Sequence, residues 1–175
     1  MGRLVDDMLL LAKLDEERPL DHRPVDLGVL AADAANDARI AAPGRPITVD
    51  SESVVIDGDE DRLRQVVANV VGNALVHTDA GMPVHISVHR DGDQAILVVE
   101  DQGPGMPAEV AERATERFYR ADQSRSRHRG GSGLGLSIVD ATVTSHGGAV
   151  SIDTVTGGGT CVRIKLPVTR LPVTQ

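Results

Sequence analysis

Asn69, Asn73 and His77 recur at four-residue steps in a stretch, EDRLRQVVANVVGNALVH, that is otherwise apolar at helical spacing. On a helix such steps make a slanted row within roughly 80° of arc. The row borders the apolar face of Leu63, Val66, Val67, Val70 and Ala74, where polar side chains can meet a ligand at a cleft. One asparagine there would be an ordinary solvated or locally bonded amide; two in register with a histidine point to a site. Asp101 is the second feature. It ends the apolar run Ala95–Val99 and leads into Gln102-Gly103-Pro104-Gly105-Met106-Pro107. Its carboxylate can accept from an amine while Gly103 and Gly105 let a flat ring slide in, although alone these residues also read as a strand-ending turn with a capping Asp. The third is GGSGLGLSIVD at 130–140, where Gly131, Gly133 and Gly135 alternate with Ser132 and Leu134 before an apolar helix. Glycines admit close backbone approach, and the unpaired N–H groups and dipole of the following helix favour a phosphate. A dinucleotide fingerprint would follow a strand, whereas this one follows the basic run SRSRHR; a P-loop would place Lys after its last glycine, and here Leu136 stands there. Taken alone, the stretch is equally a glycine-rich helix entrance without a ligand.

The elements that must hold these residues fit one domain. The chain has 175 residues, 41% of them hydrophobic, with Phe118 and Tyr119 as the aromatic side chains, so the core is Val, Leu, Ile and Ala. A net charge of −8 argues against a nucleic-acid surface. The lone Cys161 cannot form an internal disulfide and suggests a reducing compartment. No apolar run approaches the roughly 20 residues of a membrane span, and no secretory leader is visible, so the chain reads as soluble. No Cys, His or carboxylate spacing suits a metal.

Residues 3–17 read as a short amphipathic helix whose seam of Leu4, Met8 and Leu11 needs a partner. Pro19 to Pro24 read as a linker. Asp26 then caps a helix with Leu27, Leu30, Ala31, Ala34, Ala38 and Ala41 on one face, closed by Pro43-Gly44. Strand-like runs follow at Ile47–Asp50 and Val54–Asp57, and Asp59 caps the helix of the asparagine row. Val84, Ile86 and Val88 alternate in a strand that Asp91-Gly92 turns into Ala95–Val99, which is dense enough to be central. Residues 108–118 suggest a short helix. Residues 119–130, with Arg120, Arg125, Arg127, His128 and Arg129, suggest a mobile polar loop able to cover a polyphosphate. Val150–Val155 and Cys161–Leu166 complete the strands, and Thr169–Gln175 should fray.

The asparagine row, DQGPGM, ERFYRAD, GGSGLGLSIV and GGGTCVRIKLP occur in one fixed order. In that order they resemble the ATP-binding catalytic domain of two-component sensor histidine kinases, of the superfamily shared with gyrase, Hsp90 and MutL. The resemblance covers about residues 26–167 and implies an α+β fold, a two-layer sandwich of the Bergerat type. A mixed, mostly antiparallel sheet would carry three helices on one face and an ATP lid. It implies that Asn73 ligates magnesium and that Asn69 stands where the ATPase relatives carry a water-activating Glu. It implies that His77 packs on adenine and that Asp101 reads the adenine amino group, with Gly103 and Gly105 beside the ring. Arg120 would serve the terminal phosphate, with Gly131, Gly133, Leu134 and Gly135 forming the phosphate-contacting end of the lid. Gly159-Thr160 would close the pocket floor. An amide at position 69 cannot serve as a general base, so phosphoryl transfer is expected in preference to water attack. Val76 and Thr115 depart from the family, standing where relatives carry a basic residue and an aromatic.

The cofactors implied are ATP and Mg2+. LVDDMLLLAKLDE resembles the end of the second helix of the dimerisation domain. The domain boundaries expected are therefore 1–18 for that helix end, 19–25 for a linker, 26–167 for the catalytic domain and 168–175 for a tail. None of the six histidines has the family's phosphoacceptor context, so acceptor, sensor and membrane parts are expected upstream of Met1. The partners implied are the protein's own phosphoacceptor domain and a response regulator. The expectation is a homodimer at full length, a monomer for this piece, no nucleic acid, and a cytoplasmic place beneath an inner- or plasma-membrane sensor. A gyrase- or Hsp90-like ATPase and a nucleotide-binding regulatory module without catalysis are the rival readings.

Overall fold

The computed structural model describes residues 19–116 and 134–168. The helix expected over 3–17, the polar loop with Arg120, Gly131 and Gly133, and the tail from Thr169 lie outside the described residues.

Asp26 caps the first helix as its sequence position predicts: its carboxylate accepts from the N–H groups of Gly28 (2.8 Å) and Val29 (3.4 Å), satisfying two donors of the first turn. Helix α1, Leu27–Ala41, buries Leu27, Leu30, Ala31, Ala35 and Ala38. Ala35 replaces the expected Ala41, which is exposed where the helix ends. Asp59 caps helix α2, Glu60–His77, by accepting from the Arg62 N–H at 3.2 Å, with Glu60 and Asp61 favourably placed in the first turn. Leu63, Val66, Val67, Val70, Val71 and Ala74 form its buried stripe. Each Leu or Val among them contributes about 1.5–3 kcal/mol by leaving water. A short helix α3, Ala108–Glu112, stops sooner than the sequence suggested. Helix α4, Gly135–Ser145, is the apolar continuation of the glycine-rich stretch.

Seven strands are described: β1 Arg23–Asp26, β2 Ile47–Ser51, β3 Val55–Gly58, β4 Val84–Asp91, β5 Gln94–Asp101, β6 Ala149–Val155 and β7 Gly159–Pro167. Five form one sheet in the order β2-β4-β5-β7-β6, antiparallel throughout except for the parallel pair β2–β4. Strand β5, read as central, has neighbours on both sides and is buried from Ala95 to Val99. Helices α1, α2 and α4 pack on one face of this sheet. Val84, Ile86, Val88, Ala95, Leu97, Val99, Val162, Ile164 and Leu166 meet them in a single core. The mixed, mostly antiparallel sheet under three helices is the architecture expected.

Two segments differ from the reading. Arg23–Asp26, at the end of the supposed linker, is strand β1, paired antiparallel with β3 in a separate two-stranded sheet. Its pattern carries one apolar residue, Val25, too few to reveal a strand. At the other end Val168 bridges Ile56 and donates its N–H to Asp93 O at 2.9 Å, so ordered pairing runs one residue past the expected boundary.

Candidate functional site

The asparagine row lies at the seam between α2 and α4. Asn69 and Asn73 are half-buried and His77 is exposed. The Asn69 amide is held at both ends, accepting from Gln65 Nε2 at 3.0 Å and donating to Gly135 O at 3.4 Å. Gln65 extends the row by one turn at the same four-residue spacing, a signal present in the sequence and passed over. A Cβ built on Gly135 would lie 3.7 Å from Asn73 Oδ1 and 4.0 Å from Asn69 Cγ. The first and the glycine-rich motifs, more than sixty residues apart in sequence, therefore face each other across a narrow gap. Leu134, wholly buried, occupies the cap position of α4 and provides no side-chain cap bond. The start of α4 thus lies beside two amides, a setting that favours an anion.

The second group lies at the far end of β5. By strand alternation Asp101 shares the helix-covered face with Leu97 and Val99. Its Oδ1 accepts from the Gly103 N–H at 2.9 Å. Among the described residues no partner holds the other oxygen. Thr160 lies opposite Asp101 in the β5–β7 ladder. The loop after Asp101 is fastened to the β6–β7 hairpin: Gly157 N–H donates to Pro104 O at 2.7 Å and Met106 N–H to Thr154 Oγ1 at 2.9 Å. Here glycine is demanded by space. Gly105 has φ +61, and a Cβ on it would come within 2.1 Å of Val155 O. Gly159, at φ +93, would place a Cβ 2.0 Å from Asp101 O. Both backbones lie too close for any side chain.

Two residues that the sequence did not flag hold the C-terminal end of the helix of the row. Arg45, 7% exposed, donates from Nε to Met82 O (2.9 Å), from Nη1 to Leu75 O (3.1 Å) and from Nη2 to Ala74 O (3.4 Å). A buried guanidinium therefore caps the last turn of α2, where the helix dipole favours a cation. Thr78, 6% exposed, follows His77 and donates its hydroxyl to Ala74 O at 2.5 Å. At the other end of the row His146 joins α4 to α2: its Nδ1 donates to Thr142 O at 2.7 Å and its Nε2 accepts from the Asp59 N–H at 3.0 Å. Burial lowers its pKa below the ordinary value and keeps it neutral.

The uncovered face of the sheet holds a shallow cleft of about 370 Å3. His85, Glu100, Cys161 and Asp153 line it, one from each of four adjacent strands in a single cross-strand row. Burial, then the adjacent Glu100 charge, pushes the Cys161 thiol up to about 11, so it is no nucleophile at neutral pH. Among the described residues no cluster of three His, Cys, Asp or Glu could hold a metal ion. Asp101, Gly159 and Thr160 border this cleft as well, whereas Asn69, Asn73 and Gly135 do not line it. Of the residues expected at the site, Asn69, Asn73, Leu134 and Gly135 meet at one end, and Asp101, Gly103, Gly105 and Thr160 at the other. His77 lies on the helix between them, and Arg120, Gly131 and Gly133 fall outside the described residues.

Comparison with known proteins matches residues 58–170, more than half of the chain, to the family described as histidine kinase-, DNA gyrase B-, and HSP90-like ATPase. The probable sensor histidine kinase TcrY of Mycobacterium tuberculosis is 45% identical over 168 residues, which cover 95% of this chain and 35% of TcrY. Among solved structures, the mycobacterial sensor histidine kinase MprB is 32% identical with a TM-score of 0.76, over 86% of this chain and 99% of that one. Full-length ShkA in complex with AMPPNP is 30% identical with a TM-score of 0.83, over 97% of this chain and 36% of ShkA. The chain spans about a third of the length of curated relatives that it matches.

Proposed function

This chain belongs to the family of histidine kinase-, DNA gyrase B- and HSP90-like ATPases, and from that premise we propose that it binds ATP and transfers its γ-phosphoryl group to a histidine of a helical domain. The observation that carries this reading is the meeting of Asn69 and Asn73 with the start of α4 at Gly135. Phosphates would lie there and adenine at Asp101, between α2 and the loop over 102–107. The free oxygen of Asp101 would accept from the exocyclic amine, Gly103 and Gly105 would flank the ring, His77 would stack on it, and Thr160 would close the floor. Arg120, Gly131 and Gly133 would complete the phosphate side.

Transfer needs positioning and charge stabilisation above all. The acceptor imidazole nitrogen supplies the electron pair that forms the N–P bond. The bond from Pγ to the bridging oxygen breaks, and ADP leaves with that pair. Asn73 Oδ1 has no protein hydrogen bond among the described residues and faces the gap. One amide oxygen completed by phosphates and water fits magnesium, which usually keeps several waters. Bound there, magnesium would neutralise charge on the phosphates. The Asn69 amide, held by Gln65 and Gly135, has no basicity with which to activate water, and this favours a kinase over a gyrase-like ATPase. His146 is bonded through both ring nitrogens and is unsuited as acceptor.

The whole protein's partners on this reading are its own phosphoacceptor domain, a second copy and a response regulator. As a sensor kinase it would place this domain on the cytoplasmic side of a membrane. Among the described residues no helix is long and apolar enough to cross one.

The test combines calorimetry with radiolabel transfer. With magnesium, ATP should bind better than GTP, and Asp101→Asn should weaken ATP by about 1–3 kcal/mol. Acid-labile label should reach a separately supplied helical domain and not this chain alone. Equal affinity for ATP and GTP sinks the adenine assignment, whereas tight ATP binding without transfer to the acceptor domain favours a non-catalytic module.

A further inference from the structure

The residue after the site helix is a buried threonine whose hydroxyl is already spent. Thr78 Oγ1 donates to Ala74 O, back into the last turn of α2, and so has no donor left for a ligand. Its methyl group points the other way. A Cβ built on Gly103 would come within 2.4 Å of Thr78 Cγ2 and 3.3 Å of Thr78 Cβ, so the methyl rests directly on the Gly103 α-carbon. Gly103 does not have a positive φ, so this crowding, not backbone conformation, is what reserves the position for glycine. The same imagined Cβ would lie 2.9 Å from Asp101 Oδ1. The Gly103 N–H in turn donates to that oxygen at 2.9 Å. The Thr78 methyl and one oxygen of the Asp101 carboxylate therefore crowd the same side of the Gly103 α-carbon. Arg45 fixes the last turn of α2 by holding Ala74 O and Leu75 O.

We infer that Thr78 is a positioning residue for base specificity: its methyl group holds Gly103, and through Gly103 the Asp101 carboxylate, in the orientation that reads an adenine amine. This deepens the adenine assignment proposed above and rests on it. With Oδ1 tied to Gly103, only Oδ2 faces the base, and its direction is set by the turn. If the turn loosens, the carboxylate rotates and discriminates less between an amine and a carbonyl on the purine. The methyl, and not the hydroxyl, does this, which separates the role from ordinary capping of a helix end.

The experiment uses the full chain, with ATP and GTP titrated calorimetrically against wild type, Thr78→Ser and Thr78→Val, and with a urea midpoint for each. Serine keeps the hydroxyl bond and loses the methyl; valine keeps the shape and loses the bond. The expected result is that Thr78→Ser lowers the ATP-over-GTP preference by about fivefold or more at a near-wild-type midpoint. Thr78→Val should keep the preference although its midpoint falls, because Ala74 O loses a donor. A merely structural threonine gives the opposite ordering, and that ordering overturns the assignment. A third arm serves if valine does not fold. Gly103→Ala should lose adenine preference, and adding Thr78→Ser should return part of it by vacating the space at 2.4 Å. Strictly additive losses overturn the proposal. Wild type that prefers ATP while Thr78→Ser prefers it equally overturns the role of Thr78 alone. Wild type with no preference overturns the adenine reading and the role together.

Discussion

The two ends of the candidate site are built to different tolerances. Around Asp101, backbone meets backbone: imagined side chains on Gly105 and Gly159 would strike carbonyl oxygens at 2.1 and 2.0 Å. Around Asn73, the nearest approach to Gly135 is 3.7 Å, an ordinary contact with room to spare. The glycines of the two motifs look alike in sequence and differ in what enforces them. At the Asp101 end the fold itself requires glycine. At the Asn73 end the fold would accept a methyl group, and any requirement for Gly135 must come from outside the fold. A rigid wall suits a flat ring of fixed shape. An open gap suits a chain of phosphates whose terminal group must be reached by a second reactant.

The sharpest way to break this contrast is Gly159→Ala. Positive φ and a clash with Asp101 O both act, so a stability loss of about 3 kcal/mol or more is expected by chemical denaturation. A loss under about 1 kcal/mol would show the wall to be pliable. Asn73→Ala probes the other end. Phosphoryl transfer should fall about 100-fold or more, because charge on the phosphates goes uncompensated. Stability should hold within about 0.5 kcal/mol, because Asn73 has no protein hydrogen bond among the described residues. A variant that melts early would mean that the gap is structural after all.

The frame behind Asn69 and Asn73 can be loosened by acid. Neutral His146 accepts from the Asp59 N–H, while Asp59, His22 and Arg62 are the charged or titratable groups around it. Its folded pKa is depressed, so the unfolded chain binds more protons between that value and about 6.5. Stability is therefore full above the unfolded value and falls as pH drops below about 6.5, until the folded pKa is passed. Urea midpoints at pH 7.5 and 5.5 should show this fall in wild type and a smaller one in His146→Gln; equal falls would assign it to other groups. The smallest effect should come from Gly135→Ala. With space available at the first helical residue, stability should change by no more than about 0.5–1 kcal/mol, with alanine favoured. A loss rivalling that of Gly159→Ala would erase the distinction between the two ends.

What could be read from sequence was what is local. Asp26 and Asp59 announced their helices, Val84, Ile86 and Val88 their strand, and the four-residue beat of Asn69, Asn73 and His77 its row. Each signal lies within one element, where period and capping act. Arg45 was invisible because its meaning depends on carbonyls of Ala74, Leu75 and Met82, some thirty or more residues away. Thr78 looked like the end of a helix, and nothing local says that Gly103 lies against its methyl. Strand β1 escaped because its partner is β3, across the whole of α1. The resemblance to sensor histidine kinases implied a role for the Asp101 carboxylate, but not which residues lie against it.

Strand β3 is flanked on both sides by the outer parts of the described chain: Val25 opposes Ile56 in the ladder, and Val168 bridges Ile56 from elsewhere. The first and last strands of the domain are thus stitched to one residue, and the backbone describes a nearly closed ring. Such a ring is open to circular permutation. A short linker could join the neighbourhood of Val168 to that of Arg23, and new termini could be cut at the exposed turn of Gly92, remote from both ends of the candidate site. The order of the motifs along the gene would change while their order in space did not.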